Sequence, residues 1–156
     1  GGTYFTIYLR PRDYHRIHSP VAGRITAIRR IGGTLFPVKP YMVRNFRGLF
    51  TRNERVVIEI QTDLGMVAVV CVAAAGVGNI STIHSRDDLQ SDRASIEKGH
   101  ELAAFNLGST VIVIVPPGQV DLESFSTGQF VKVGQVLARG GHRTHERIEN
   151  RGFIGD

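Results

Sequence analysis

The sequence has one cysteine, no tryptophan and no apolar run long enough to cross a membrane as a helix. Its longest apolar run covers residues 66–77, well short of the roughly 20 residues that a transmembrane helix needs. Cys71 lies inside this run, so we predict a small buried residue and not a reactive thiol. A lone cysteine also excludes an internal disulfide and a multi-cysteine zinc site, and we predict no metal site.

The composition is typical of one compact globular domain. The 156 residues are 42% hydrophobic and 21% charged, which excludes the fibrous and disordered classes. The formal net charge of +5 and the pI near 9.9 favour an anionic partner. Nucleic acid, an acidic protein and an anionic lipid surface all meet that description, and charge alone does not choose among them.

The pattern of apolar residues predicts a mainly β protein with few short helices. Alternating or β-branched runs bounded by glycine and proline predict strands at residues 3–9, 23–31, 55–61, 66–73, 77–83 and 109–115. The polar residues 84–93 are predicted to form a mobile surface loop, and residues 140–156 a polar C-terminal tail. The predicted architecture is a flattened β-barrel or a sandwich of short strands.

Residues 129–138 (Gln-Phe-Val-Lys-Val-Gly-Gln-Val-Leu-Ala) share a spacing of apolar residues and glycine with residues 23–38. Their Val-x-x-Gly-x-x-Leu stretch is similar to that of biotinyl and lipoyl carrier domains. The pattern predicts a carrier-like portion of the fold, with two further short strands that flank Val133 and Gly134.

Two stretches concentrate polar side chains. Residues 8–20 (Tyr-Leu-Arg-Pro-Arg-Asp-Tyr-His-Arg-Ile-His-Ser-Pro) place His15 and His18 three positions apart. Such a pair is either catalytic, or two polar side chains exposed to solvent, or a weak adventitious metal site. In residues 49–56 (Leu-Phe-Thr-Arg-Asn-Glu-Arg-Val), the simplest interpretation is a solvated turn in which Arg52, Glu54 and Arg55 pair locally.

A third stretch, residues 105–111 (Phe-Asn-Leu-Gly-Ser-Thr-Val), places a Gly–Ser step at the start of a buried strand. Gly108 has no side chain, so its carbonyl carbon is open to attack by the hydroxyl of Ser109. A strained turn that orients the two groups would favour an N-to-O acyl shift. The alternative is a turn glycine followed by hydroxyls that satisfy backbone groups. Spacing alone leaves both interpretations open.

Taken together and in this order, the stretches resemble the phosphatidylserine decarboxylase family over about residues 4–139. The matching motifs are residues 8–20, residues 49–56 and residues 98–111 (Lys-Gly-His-Glu-Leu-Ala-Ala-Phe-Asn-Leu-Gly-Ser-Thr-Val). The resemblance implies a self-cleaving proenzyme with a catalytic core at residues 1–139, cut between Gly108 and Ser109. It implies a carboxy-lyase that converts phosphatidylserine to phosphatidylethanolamine.

The resemblance also assigns roles. Ser109 is the nucleophile that attacks the carbonyl of Gly108, and it becomes a covalent pyruvoyl cofactor that acts as an electron sink. His18 is the base that activates the serine. His15 assists decarboxylation or returns a proton. The residues that we expect, from their charge, to receive the lipid phosphate are Arg12, Arg16, Arg52 and Arg55.

The partners that the resemblance implies are phosphatidylserine, an anionic membrane surface, and the large and small chains of the cleaved proenzyme, with a homodimer as a further candidate assembly. We expect peripheral association with the cytoplasmic face of a bacterial inner membrane. Family members carry an acidic residue that orients the catalytic histidine, in a Pro-Ala-Asp-Gly-like segment upstream of the first motif, and a hydrophobic N-terminal portion. This sequence begins after both. We therefore expect either a piece of a longer protein or a shortened homologue with slow or absent self-processing.

Two other functions compete with this interpretation. A non-enzymatic relative would bind lipid or protein and keep the Gly108–Ser109 bond intact. A nucleic-acid-binding β-barrel would expose aromatic side chains for base stacking. Because Phe5, Tyr8 and Phe130 lie in apolar runs that we predict to be buried, we predict no nucleic-acid partner.

Overall fold

The computed structural model describes residues 2–75, 80–85, 87–91, 94–106 and 108–140. Its strands are β1 (Thr3–Leu9), β2 (Arg16–His18), β3 (Gly23–Ile31), β4 (Arg55–Thr62), β5 (Gly65–Val72), β6 (Ile80–Thr82), β7 (Ser95–Ile96), β8 (Glu101–Phe105), β9 (Ser109–Val115), β10 (Val120–Leu122) and β11 (Ala138–Gly140). Its helices are α1 (Pro40–Asn45), α2 (Leu49–Arg52) and a 3-10 helix at Asp87–Gln90. No helix in these ranges is long and apolar enough to span a bilayer.

The strands form three antiparallel sheets. The large sheet has the order β1-β9-β5-β4-β3-β7, the second sheet has the order β2-β8-β6, and β10 pairs with β11. Valine and isoleucine dominate the central strands β5 and β9, as expected for residues that fit a pleated, buried surface. Successive side chains point to opposite faces of a strand, so the two faces of the large sheet contact different layers.

One face of the large sheet packs against the second sheet. Ile25, Ile58 and Cys71 from the large sheet join Leu102 and Phe105 from β8 in one buried cluster. Burial in this cluster raises the pKa of the Cys71 thiol to about 12, and the prediction of a buried cysteine is confirmed. Two layers around a shared core make the predicted sandwich. The predicted barrel is wrong, because within the described ranges the edge strands β1 and β7 do not pair.

The opposite face of the large sheet is covered at one end by α1 and α2. Val38 and Leu49 pack there against Val72 and Ala74 in a second buried cluster. The two helices have only six and four residues, too few for a 3.6-residue periodicity to reveal them in the sequence. Burial of apolar side chains against the sheet therefore stabilises helices that local propensity alone does not support.

The segment at residues 49–56 is not the solvated turn that we predicted. Asn53 is fully buried; its side chain accepts a hydrogen bond from the Phe36 N–H at 3.1 Å and donates one to the Ala73 carbonyl at 2.9 Å. Glu54 forms an ion pair with Arg30 of β3 at 2.8 Å, and not with its sequence neighbours. A buried amide of this kind joins the connection before α1 to the sheet.

The other differences from the predicted elements lie toward the C-terminus and in the loops. The strand predicted at 77–83 corresponds to β6 at Ile80–Thr82, and its first part, residues 77–79, lies outside the described residues. The predicted loop at 84–93 contains the 3-10 helix. The two extra strands exist as β10 and β11, but farther from Gly134 than predicted, because Gly128 and Gly134 take positive φ in turns between them. The predicted tail lies outside the described residues beyond Gly140.

Phe130 contradicts the prediction that it is buried. Its side chain is 76% exposed, and the guanidinium of Arg10 lies over its ring at 4.7 Å from the centroid. Phe5 and Tyr8 on β1 are half-buried. The local apolar run around Phe130 does not lead to burial, because residues 129–137 belong to turns and not to a sheet.

Candidate active site

Ser109 begins β9 directly opposite Leu9 of β1. It is 0% exposed, and its Oγ has no hydrogen-bond partner among the described residues. Leaving a buried hydroxyl unpaired costs about 1–3 kcal/mol. The neighbouring Thr110 hydroxyl is likewise buried and unpaired among the described residues, so the cost alone does not single out Ser109. At a Gly–Ser step it is a reason to consider a chemical role.

Gly108 lies in close contact with the end of β1. A Cβ atom at this position would be 3.0 Å from Cδ of Pro11 and 3.1 Å from the carbonyl oxygen of Leu9. Any side chain at 108 would therefore push the chain at Leu9 and Pro11 away. Glycine is needed here for this close approach, which keeps the Gly108–Ser109 peptide bond beside the loop that carries the two histidines.

A tight turn at residues 10–13 holds Pro11 in that position. The carboxylate of Asp13 accepts hydrogen bonds from the backbone N–H of Arg10 at 2.8 Å and from its guanidinium at 2.9–3.1 Å. These bonds lower the pKa of the Asp13 carboxyl below its ordinary value and raise the pKa of Arg10. The turn that presents Pro11 to Gly108 thus depends on an ionised Asp13.

His18, at the end of β2, uses both ring nitrogens. Nδ1 lies 2.8 Å from the carbonyl oxygen of Gly99, and Nε2 lies 2.8 Å from the hydroxyl of Tyr14. A carbonyl oxygen can only accept, so in the neutral ring Nδ1 carries the proton and Nε2 accepts from the Tyr14 hydroxyl. The Tyr14 ring stacks on the imidazole at 5.7 Å between centroids and 10° between planes. The free lone pair of His18, which a base needs, therefore lies on Nε2, where it accepts the hydrogen bond from Tyr14.

His15 directly precedes β2 and contacts the end of β8. The N–H of Phe105, in β8, donates to the His15 carbonyl at 3.0 Å. Its Nε2 atom is buried and has no hydrogen-bond partner in the described part of the chain. Neither His15 nor His18 hydrogen-bonds the Ser109 hydroxyl among the described residues. Both histidines therefore lie beside β8, and no base–nucleophile contact is formed among the described residues.

An apolar cleft of about 500 Å³ opens beside His18. Its wall on the large sheet consists of side chains from β1, β5 and β9, and residues 131–138 form the opposite wall. Tyr14, Arg16 and His18 lie on its rim. A cavity of this size is typical of a site for a small organic ligand.

The four predicted phosphate ligands do not gather in one place. Arg16 lines the cleft and pairs with Glu101 at 2.7 Å, whereas Arg12 is exposed on the turn before it. Arg52 stands over the ring of Phe46 at 5.1 Å, in the helical layer on the other face of the large sheet. Arg55 lies on that same face and donates to backbone carbonyls of its own loop.

Four residues of the site were not singled out by the sequence. Tyr14 and Gly99 contact His18, while Lys98 and Lys132 line the cleft. Tyr14 lies within the first motif, four positions before His18, so the sequence could have suggested this contact. The contributions of Gly99, Lys98 and Lys132 depend on which strands pair, and no local pattern reveals that.

Comparison with known proteins places this chain in a family. The family model described as phosphatidylserine decarboxylase matches residues 1–139. A phosphatidylserine decarboxylase proenzyme of Halorhodospira halophila is 46% identical over 149 residues, covering 88% of this chain and 51% of the relative. Proteins of the same name from an Anaeromyxobacter strain and from Alteromonas mediterranea are 42% and 38% identical, covering 88% of this chain and 54% and 47% of their own lengths.

The fold defines a mainly β sandwich, with the buried Ser109 of a Gly–Ser step at the start of β9 and a histidine pair beside β8. The chain belongs to the phosphatidylserine decarboxylase family. It spans about half the length of the curated relatives that it matches.

Proposed function

We propose that this chain is the part of a pyruvoyl-dependent phosphatidylserine decarboxylase that cleaves itself between Gly108 and Ser109. The observation that carries the proposal is the buried hydroxyl of Ser109, which has no partner in the described part of the chain, next to a glycine that no other residue can replace without crowding. The family match over residues 1–139 supports the assignment. Residues 1–108 and 109–156 would then be the large-chain and small-chain portions.

Self-cleavage would proceed as an acyl shift followed by an elimination. The Ser109 hydroxyl loses its proton to a base, and its Oγ attacks the Gly108 carbonyl carbon. The peptide C–N bond breaks and the Ser109 nitrogen takes up a proton, which leaves an ester. Removal of the Ser109 α-proton then breaks the Cβ–O bond and releases the Gly108 carboxylate. Hydrolysis of the resulting dehydroalanine releases ammonia and leaves a pyruvoyl group at position 109.

His18 is the proposed base for the first proton transfer. Its Nε2 carries the lone pair, and the Gly99 carbonyl holds the Nδ1 proton on the other side of the ring. Since Nε2 accepts from Tyr14, the base becomes available when the phenol moves aside. His15, with a buried and unpaired Nε2, is the proposed group for moving a proton at the reacting carbon.

The residues present fit a pyruvoyl group at position 109. Ser109, from which the group would form, is buried at the start of β9. The neighbouring Gly108 packs so closely against Pro11 that a side chain at position 108 would be crowded. When formed, the group supplies an electron sink for the electrons released as carbon dioxide leaves. This chain's own part is to hold that position away from water, and the proposal requires His15 to reach it.

Intact mass under denaturing conditions tests the proposal. We expect two pieces from the wild type, residues 1–108 and a C-terminal piece that lacks the serine amine and reacts with a hydrazide probe. Ser109→Ala should stay whole. Thr110→Ala is the matched control, since Thr110 is also buried with an unpaired hydroxyl but follows the scissile bond by one residue. It should still be cut.

If the wild-type chain is not cleaved, a second experiment fuses the upstream half of the Halorhodospira halophila relative to residue 1. Cleavage there that depends on Ser109 supports the proposal. No cleavage in either form contradicts it and favours the non-processing relative that binds lipid or protein. One feature favours that second candidate: the partner of His18 Nδ1 is a carbonyl oxygen and not a carboxylate.

The proposed substrate partner is phosphatidylserine at an anionic membrane surface on the cytoplasmic face of a bacterial inner membrane, with no nucleic acid involved. Residues 35–53 support this membrane contact because they contain four basic and no acidic residues: Lys39, Arg44, Arg47 and Arg52. Tyr41 on α1 is 72% exposed among them, and an aromatic with cations is typical of an interfacial surface. A homodimer remains a proposal. Sedimentation with vesicles of increasing phosphatidylserine content, and its loss in salt, tests the membrane contact.

A further inference from the structure

The strand that carries His18 pairs irregularly with β8. Ile17 lies opposite Ala103. The next residue, His18, lies opposite Glu101, whereas a regular antiparallel ladder would place Leu102 there. On its other edge, β8 pairs with β6 in regular register over residues 103–105. Beside His18, β8 therefore holds one extra residue, which is a β-bulge.

The bulge decides which side chains lie next to the imidazole. The adjacent residues Leu102 and Ala103 are both buried, whereas successive side chains of a regular strand point to opposite faces. Arg16 and His18 are two positions apart on β2 and share a face. In the bulged register Glu101 lies opposite His18, and its side chain is on that same face.

An ion pair spans the bulge. Nη1 of Arg16 donates to both carboxylate oxygens of Glu101, at 2.9 Å and 2.7 Å. Without the extra residue, Leu102 would lie opposite His18, and Glu101 would point to the other face of β8. The ion pair is therefore compatible with the bulged register and not with the regular one.

The same register brings the turn before β8 to the imidazole. The Gly99 carbonyl oxygen lies 2.8 Å from Nδ1 of His18, and the Ser19 N–H donates to the His100 carbonyl at 2.7 Å. Slipping β8 by one residue would move these carbonyls by about 3.3 Å along the strand, too far for either hydrogen bond. Nδ1 would lose the acceptor that holds its proton, and the choice of tautomer would be lost with it.

We infer that Arg16 and Glu101 are positioning residues for His18. The inference rests on the proposed function and deepens it. The ion pair holds β8 in the bulged register, the register holds the Gly99 carbonyl on Nδ1, and the lone pair of the neutral ring then lies on Nε2. Arg16, which we expected from its charge to receive the lipid phosphate, thus acts through His18.

The tautomer of His18 tests the inference without any need for cleavage. Ser109→Ala is labelled with ¹⁵N-histidine, and long-range ¹H–¹⁵N correlations are recorded at about pH 8, above the ordinary histidine pKa of about 6.5. Loss of signals in His18→Gln assigns those of His18. We expect the proton on Nδ1 in this parent chain. Adding Arg16→Met, which removes the guanidinium donors and keeps an apolar stem, should leave a mixture of both tautomers.

Arg29→Met is the matched control. Arg29 of β3 forms an ion pair with Glu59 of β4 in the large sheet. The side chains of that pair are 56% and 23% exposed, against 60% and 22% for Arg16 and Glu101. We expect Arg29→Met to keep the proton of His18 on Nδ1.

Cleavage rates give the second measurement, in the wild-type chain or, if only that form is cut, in the fusion with the relative's upstream half. Arg16→Met should slow cleavage by about fivefold, the scale of one exposed ion pair, and Arg29→Met should leave the rate unchanged. Arg16→Glu combined with Glu101→Arg restores an ion pair across the bulge without a cation at position 16. We expect this exchange to return the proton to Nδ1 and to recover most of the rate.

The outcomes separate this inference from the proposed function. A tautomer mixture in Arg16→Met that the charge exchange reverses supports the inference even if no form of the chain is ever cut, and the absence of cutting then contradicts the proposed function alone. A proton that stays on Nδ1 in Arg16→Met would overturn the inference, whatever the cleavage rate. Loss in Arg16→Met without recovery in the exchanged chain would also overturn it, and would favour a direct contact of Arg16 with the substrate.

Discussion

Gly108→Ala changes the tightest contact at the proposed cleavage site. The added methyl carbon would lie 3.0 Å from Cδ of Pro11 and 3.1 Å from the Leu9 carbonyl oxygen and the Pro11 nitrogen. Since non-bonded carbon atoms prefer about 3.5–4.0 Å, the turn at Pro11 must retreat by about 0.5 Å. Gly108 is not among the glycines with positive φ, so an alanine meets crowding and no backbone strain.

The magnitude follows from that displacement. Overpacking a buried site costs about 1–3 kcal/mol. At about 2–4 °C per kcal/mol for a chain of this size, we expect the melting temperature to fall by about 2–12 °C. Because small misplacements of reacting groups slow reactions steeply, we expect self-cleavage to slow by about tenfold. Thermal melting followed by circular dichroism and the rate of appearance of the two pieces by intact mass measure the two effects.

Gly32→Ala is the control for this substitution. Nothing lies within 4 Å of a Cβ at position 32, and its φ is not positive, so we expect stability within about 0.5 kcal/mol of the wild type and an unchanged cleavage rate. If Gly108→Ala has the same melting temperature and cleavage rate as Gly32→Ala, the close approach at position 108 does not require glycine.

Two further predictions concern groups around the site. In Tyr14→Phe the ring stack and the hydrogen bond from His18 to Gly99 remain, while Nε2 of His18 loses a competing hydrogen bond of about 1 kcal/mol. Cleavage, measured by intact mass, should therefore speed up by about fivefold. Slower cleavage would mean that the Tyr14 hydroxyl takes part in proton transfer. Asp13 has a pKa below its ordinary 3.8 in the folded chain, so its bonds to Arg10 stabilise the fold above about pH 4 and are lost as the pH falls through the folded pKa. Denaturant unfolding from pH 2 to 7 should therefore show wild type and Asp13→Asn converging on acidification, and a constant gap would contradict this.

Much of the fold could be predicted because its signals are local. β1, β3, β4, β5 and β9 each have alternating or β-branched residues bounded by turn formers, and the structure has all five within one or two residues of the predicted bounds. The motifs that resemble the decarboxylase family are also continuous in sequence, so the family could be recognised before any strand was paired.

The sequence by itself therefore determined five strands of the large sheet, the buried cysteine and the family. The strands β2, β7 and β8 were not predicted. Only the tertiary structure decided how strands pair, and with it three features of the site. The Gly99 carbonyl reaches His18 from 81 positions away, Lys98 and Lys132 line the same cleft, and Phe130 stays exposed although its run is apolar. The physical reason is that the alternation of side chains along a strand shows which residues share a face. Which segment packs against that face depends on contacts between residues far apart in the sequence.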